Sequence, residues 1–138
     1  MAPTTPTDAK TQTSPYGNME PNLDACAVAI SAGATYVSRW TSAHPSGLAR
    51  SIEQALGHKG FSFIDAVSQC PTQAGRYMHG TADPATLLNM IKESSVTKAK
   101  AEKMSADALK DKIVVGKLHE DKERPELSDR LYSIMHDA

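Results

Sequence analysis

Thr35-Tyr36-Val37-Ser38-Arg39-Trp40, then Leu48, Ile52 and Leu56 spaced four apart behind Pro45, then Phe61-Ser62-Phe63-Ile64-Asp65-Ala66-Val67: this stretch decides the fold. The first and last runs are rich in β-branched and aromatic residues and read as strands. Between them, Pro45 suits the first turn of a helix, the i, i+4, i+8 leucines and isoleucine give it one apolar face, and Gly57 reads as its stop. Strand, helix, strand with short links is a βαβ unit, so the two strands are expected side by side and parallel with a right-handed crossover. Two or three strands are too few for a doubly wound sheet. The expected class is therefore α/β with a partial parallel sheet, the remaining strands coming from residues outside this chain or from another subunit. An open parallel edge left uncovered would invite aggregation.

Working outward, Asn22 is placed as an N-cap before Leu23, Cys26, Ala27 and Ile30 at helical spacing, and Gly33 ends that helix. Residues 1–21 are rich in proline and threonine, carry the Tyr16-Gly17-Asn18 turn signal, and read as an extended polar loop that composition alone would equally allow to be disordered. After Pro71 the character changes. Gly75 to Gly80 reads as a polar loop, and Asp83-Pro84 caps a helix with Leu87, Leu88 and Ile91 on one face. Lys98 to Lys112 is charged, alanine-rich and helical around Leu109. Ile113 to Leu118 reads as a strand, and Arg124-Pro125 leads into a short helix through Leu127, Leu131 and Met135. This weakly apolar tail is expected to pack over another surface.

Composition bounds the rest. A net charge of −1 and a pI near 6.5 give no basic field for nucleic acid. No run approaches the roughly 18 apolar residues of a membrane span, and no signal-peptide pattern is present. Two cysteines are too few for a secreted disulfide scaffold. The expectation is a soluble, cytoplasmic protein. Its core should be thin, with 40% hydrophobic residues, many of them alanine, and only 5% aromatic.

Cys70 is the position with most chemical interest. It lies just past the C-terminal end of a predicted parallel strand, where open α/β sheets place their ligands. Pro71 follows it, and a Cys-Pro pair often closes a run of cluster ligands. One thiolate cannot hold an iron–sulfur cluster, and Cys26 faces the core, so spacing alone favours a buried free cysteine. A Cys26–Cys70 disulfide is disfavoured in a reducing compartment. His44, His58, His79, His119 and His136 form no metal-ligand spacing, and there is neither a Gly-rich phosphate loop nor a nucleophile elbow. Taken alone, these residues specify no reaction.

The order of segments says more. Pro3-Thr4-Thr5-Pro6 and Thr11-Gln12-Thr13-Ser14-Pro15-Tyr16-Gly17-Asn18, then Ala32 to Arg39, His58 to Asp65, Ser68-Gln69-Cys70-Pro71-Thr72-Gln73-Ala74-Gly75-Arg76, Lys112 to Gly116 and Arg124-Pro125-Glu126 run nearly the length of the chain. In this order they resemble the C-terminal half of the β subunits of thiamine-diphosphate-dependent 2-oxoacid:ferredoxin oxidoreductases, with the Ser-Gln-Cys-Pro-Thr neighbourhood most like the 2-oxoglutarate type. The resemblance implies residues 1–70 as the C-terminal part of a thiamine-diphosphate-binding domain and residues 71–138 as a mixed helical C-terminal extension. It also implies an enzyme subunit that oxidatively decarboxylates a 2-oxoacid to an acyl-coenzyme A and passes electrons through [4Fe-4S] clusters to ferredoxin.

Carried over residue by residue, the resemblance makes Cys70 a cluster ligand and reverses the reading from spacing. It places Thr4, Thr5, Thr11 and Tyr16 along the cofactor cavity. The family's other three cluster cysteines have no counterpart here, nor do its Gly-Asp-Gly and downstream asparagine, which hold the diphosphate and Mg²⁺. Tyr77-Met78-His79 departs from the more basic residues expected after Arg76. Met1-Ala2-Pro3-Thr4-Thr5 falls where the family continues from a Thr-Gly-Gly-Gln stretch, so Met1 reads as an internal methionine, with a split or degraded gene as alternatives. The partners implied are an α subunit, with γ and δ subunits in some assemblies, and ferredoxin; neither nucleic acid nor membrane is expected. The chain is expected to be inactive and poorly soluble alone. The competing readings are a stand-alone α/β interaction module without cofactor and a pyruvate-type member of the same family.

Overall fold

In the computed structural model residues 2–136 are described; Met1, on which the question of the start rests, lies outside them. The central unit forms as its pattern dictates. Strand β1 (Tyr36–Thr41), helix α2 (Pro45–Gly57) and strand β2 (Ser62–Val67) make a βαβ unit whose strands run parallel, with Tyr36 opposite Ser62 and Thr41 opposite Val67. Helix α1 (Ala25–Ser31) precedes it. Its cap is Asp24 rather than Asn22, because the Asp24 carboxylate accepts from the amides of Cys26 at 3.0 Å and Ala27 at 3.3 Å. The helix ends in a Schellman motif: Gly33, at φ +91, donates to Ile30 O, and Ala34 donates to Ala29 O.

The tail supplies more of the sheet than its pattern suggests. Helix α3 (Arg76–Met78) is a single turn, α4 (Pro84–Ser94) is capped by Asp83, and strand β3 (Ser95–Thr97) follows it directly. Short helices α5 (Lys98–Ala101) and α6 (Ala106–Leu109) replace one helix over residues 98–112: the first ends at Glu102, and Ser105, in extended conformation, caps the second. Strand β4 (Ile113–Glu120) then enters the sheet, and α7 (Leu127–His136) closes the described chain. The order is β2-β1-β4-β3, with parallel pairs at β1/β2 and β3/β4 and an antiparallel join at β1/β4. One free flank of β1 is thus filled by this chain itself. The β1/β4 register slips between Val37, opposite His119, and Ser38, opposite Lys117, leaving Leu118 as the extra residue of a bulge.

The two faces of β1 are built differently. Toward α1, Val37 packs with Cys26, Ala29 and Ala34, joined by Ile30, Phe63 and Leu118. Toward α2, the phenol of Tyr36 shares its one proton between Ser51 Oγ and Gln54 Oε1, both at 3.2 Å, and the indole of Trp40 donates to Ser51 Oγ at 2.6 Å. Gly47 lets α2 come this close, since a Cβ there would lie 2.4 Å from the Trp40 ring. The core is small, as the scarcity of large apolar residues requires. On α7, by contrast, Leu127, Leu131, Ile134 and Met135 are all exposed. No described helix is long and apolar enough to cross a membrane.

Candidate functional site

The N-terminal loop is ordered, and one buried side chain explains how. Asn18, 3% exposed, donates through Nδ2 to Thr5 O at 2.8 Å and Glu20 O at 3.0 Å, and its Oδ1 accepts from the Glu20 amide at 3.2 Å. Its backbone closes the ring, donating to Ala9 O at 3.1 Å and accepting from the Asp8 amide at 2.7 Å. Residues 5–20 therefore wind around Asn18 as a compact Ω-type loop. The turn signal at Tyr16-Gly17-Asn18 was visible in sequence; the long-range bonds of the amide were not.

Each candidate hydroxyl has a definite place on this loop. Thr4 is exposed. Thr5 Oγ1 accepts from the Ala2 amide at 3.0 Å, and Thr11 Oγ1 accepts from the Ser14 amide at 3.1 Å beside Thr13 Oγ1. Tyr16 is 95% exposed. Thr5 is an acceptor in its bond, so its own proton stays available for donation, whereas the Thr11 hydroxyl shares a second contact with Thr13 Oγ1 at 3.4 Å in which either can donate.

Cys70 stands where the sheet ends. Beyond β2 the chain turns through a π-helical segment, Pro71–Gly75, with Cys70 preceding it in extended conformation. The Gly75 amide donates to Cys70 O at 2.8 Å, and Gly75 has no room for a side chain, since a Cβ would lie 2.5 Å from Thr81 O and 2.7 Å from Leu87 Cδ1. Helix α3 occupies part of the Gly75–Gly80 stretch, whose composition suggests a polar loop. The Cys70 thiol is exposed, with Thr72 Oγ1 at 3.5 Å. That hydroxyl, with the amides of Gln73, Ala74 and Thr72, lowers the thiol to about 7. Cys26 is its opposite: burial pushes it up to about 11, and its Sγ lies 3.9 Å from Asp65 Oδ2. The two cysteines are both free, one buried and one exposed.

Loop and turn meet. Gln73 Nε2 donates to Gln12 Oε1 at 3.4 Å, so the residue beside Thr11 touches the turn that carries Cys70. Farther along, Pro6 to Lys10 and Tyr77 to His79 face each other across a cleft of about 390 Å³. Two histidines take structural positions: His44 bonds Thr41 Oγ1 at 2.8 Å, and the His58 ring lies 5.6 Å from Tyr36. Among the described residues no three histidine, cysteine or acidic side chains converge as a metal site. One exposed thiolate among hydrogen-bond donors fits a single ligand of a cluster, whereas these residues do not make a Mg²⁺ site.

Over residues 2–66 the chain matches the thiamine pyrophosphate enzyme, C-terminal TPP binding domain family. 2-Oxoglutarate synthase subunit KorB of Methanocaldococcus jannaschii is 47% identical over 135 residues, 98% of this chain and 49% of that protein. KorB of Methanothermobacter marburgensis is 42% identical over 137 residues, 99% of this chain and 47% of that protein. Over nearly its whole length the chain is similar to one half of these KorB subunits, and it spans about half the length of the curated relatives it matches. A 2-oxoglutarate:ferredoxin oxidoreductase from Magnetococcus marinus, solved with 2-oxoglutarate, coenzyme A and succinyl-CoA bound, shares the fold with a TM-score of 0.70. That likeness covers 99% of this chain and 46% of the other at 22% identity.

Proposed function

We propose that this chain forms part of the β subunit of a 2-oxoglutarate:ferredoxin oxidoreductase and supplies one cluster ligand and one wall of the cofactor cavity. The observation that carries the reading is the pairing of Gln12 with Gln73, which ties the loop bearing Thr11 to the turn bearing Cys70. When bound, thiamine diphosphate supplies the electron sink that lets a 2-oxoacid lose carbon dioxide, and a [4Fe-4S] cluster supplies a one-electron acceptor. Cys70 would hold the cluster as a thiolate, its exposed sulfur already surrounded by donors. Thr4, Thr5, Thr11 and Tyr16 would offer hydroxyl donors along the cavity. The remaining cluster ligands and the whole Mg²⁺ set would come from outside this chain.

Several features support the wider assignment. The family match ends at residue 66, which supports dividing the chain into a cofactor-domain part, 1–70, and an extension, 71–138. The exposed apolar stripe on α7 supports a chain that works within an assembly of an α subunit and further subunits and has no activity alone. Electrons would leave to ferredoxin and the acyl group to coenzyme A. A cytoplasmic location agrees with free thiols at both cysteines.

The test is anaerobic assembly of the chain with the rest of its oxidoreductase, followed by iron analysis and EPR. The wild type should reduce ferredoxin with 2-oxoglutarate, and Cys70→Ser should abolish or shift one cluster signal. An unaltered set of cluster signals in Cys70→Ser would overturn the ligand assignment, and turnover of pyruvate but not 2-oxoglutarate would favour the pyruvate-type reading.

A further inference from the structure

The turn after Cys70 gives its sulfur an uneven set of donors. Pro71 has no amide hydrogen, so the main-chain donors begin at Thr72 and continue through Gln73 and Ala74. These amides belong to the turn whatever its side chains. Thr72 adds a hydroxyl, its Oγ1 3.5 Å from Cys70 Sγ. The frame around the pair is fixed by the bond from the Gly75 amide to Cys70 O and by the tight packing of Gly75 against Thr81 and Leu87.

A thiolate has no proton to give, so toward a metal-bound sulfur the hydroxyl is the donor. A sulfur that accepts such a bond passes less negative charge to its iron, which favours the reduced cluster. We propose that Thr72 is a positioning residue that donates Oγ1–H to Cys70 Sγ and thereby raises the reduction potential of the cluster that Cys70 ligates. This rests on the reading of Cys70 as a cluster ligand. Thr72 would act through Cys70 and touch neither substrate nor cofactor.

Potentiometric EPR of the assembled oxidoreductase tests it. Thr72→Val, close in shape but without the hydroxyl, should lower the ratio of reduced to oxidised cluster at a fixed potential by about fivefold, the scale of one lost hydrogen bond. Thr72→Ser should stay near the wild-type value. An unchanged potential in Thr72→Val would overturn the proposal, as would a Thr72→Ser potential displaced as far as that of valine. Should Thr72→Val hold no cluster, deuterium ENDOR of the reduced assembly in D₂O gives the answer. Wild type and Thr72→Ser should both show one exchangeable deuteron coupled to the cluster beyond those of the Thr72, Gln73 and Ala74 amides, and the absence of that further coupling from the wild type overturns the hydrogen bond. The two failures are separable: cluster signals untouched by Cys70→Ser remove the ligand, whereas a cysteine-dependent cluster indifferent to Thr72 removes only the tuning.

Discussion

Arg39 Nε donates to Asp65 Oδ2 at 2.8 Å across the two parallel strands on which they stand directly opposite one another. The guanidinium also reaches Asp24 Oδ1 at 2.5 Å, so one side chain links both strands to the cap of α1. Arg39→Met should destabilise this corner by about 2 kcal/mol, because it leaves the half-buried Asp65 facing Cys26 without its cation. Faster hydrogen exchange at the β1 and β2 amides, with α4 unaffected, would report that loss. An unchanged pattern would mean that the pair is ornamental.

The same corner carries a pH dependence. Burial pushes Asp24 up, but its bond from Arg39 and the amides of Ala27 and Cys26 outweigh this and hold it below the usual carboxylate range. Its contribution is therefore complete above the unfolded value of 3.8 and is lost as pH falls through the lower folded one. Hydrogen exchange at the start of α1 should accelerate over that acidic window in the wild type. In Asp24→Asn this acceleration should be blunted.

The two cysteines should separate cleanly under alkylation. Cys70, exposed and lowered to about 7, should react with iodoacetamide at neutral pH, while Cys26, 1% exposed and pushed up to about 11, should not. Peptide mass spectrometry after short labelling checks this. Equal labelling of both would show that the α1 side of the sheet opens readily.

Asn18→Ala should release the N-terminal loop while sparing the sheet. The lost bonds to Thr5 O and Glu20 O remove the side-chain link across the loop, a cost of about 1 kcal/mol, while Glu20 O keeps the Thr7 hydroxyl at 3.2 Å. Limited proteolysis should then cut within residues 5–20 much faster than in the wild type. Protection of β1 by hydrogen exchange should not change.

Ser38 points the other way. Its Oγ is buried without a hydrogen-bond partner among the described residues, on a residue with no exposed surface. Ser38→Ala should therefore be neutral or stabilising by up to about 1 kcal/mol, against the usual direction of core substitutions. A clear loss of protection in β1 would reveal a partner for the hydroxyl.

How far the sequence carried the fold depends on the range of the interaction. The βαβ unit was legible because period-two and period-3.6 patterns, Pro45 and Gly57 act locally, although α2 runs through Gly57. Strand β3 was not: three residues joined directly to α4 leave no pattern long enough to read. The antiparallel entry of β4 beside β1 was hidden for a related reason, since pairing partners some eighty positions apart leave no mark in either segment alone. At the site, the proline after Cys70 pointed to a turn. The donors of Thr72 and the meeting of Gln73 with Gln12 depend on a π-helical path and a loop wound around Asn18, which composition does not encode.

The place of β4 also sets a timetable. Tyr36 pairs with Glu120, so the middle of the sheet cannot close until the residues between them have left the ribosome. Until then β1 has only β2 beside it, and the segment between β2 and β4 must be gathered into a long loop before their shared neighbour is secured. Such distant pairing slows folding and prolongs the exposure of sticky strands. The short helices of the tail cannot hold on their own, so they and the late strand must be secured together, as one late step, against the flank that awaits them.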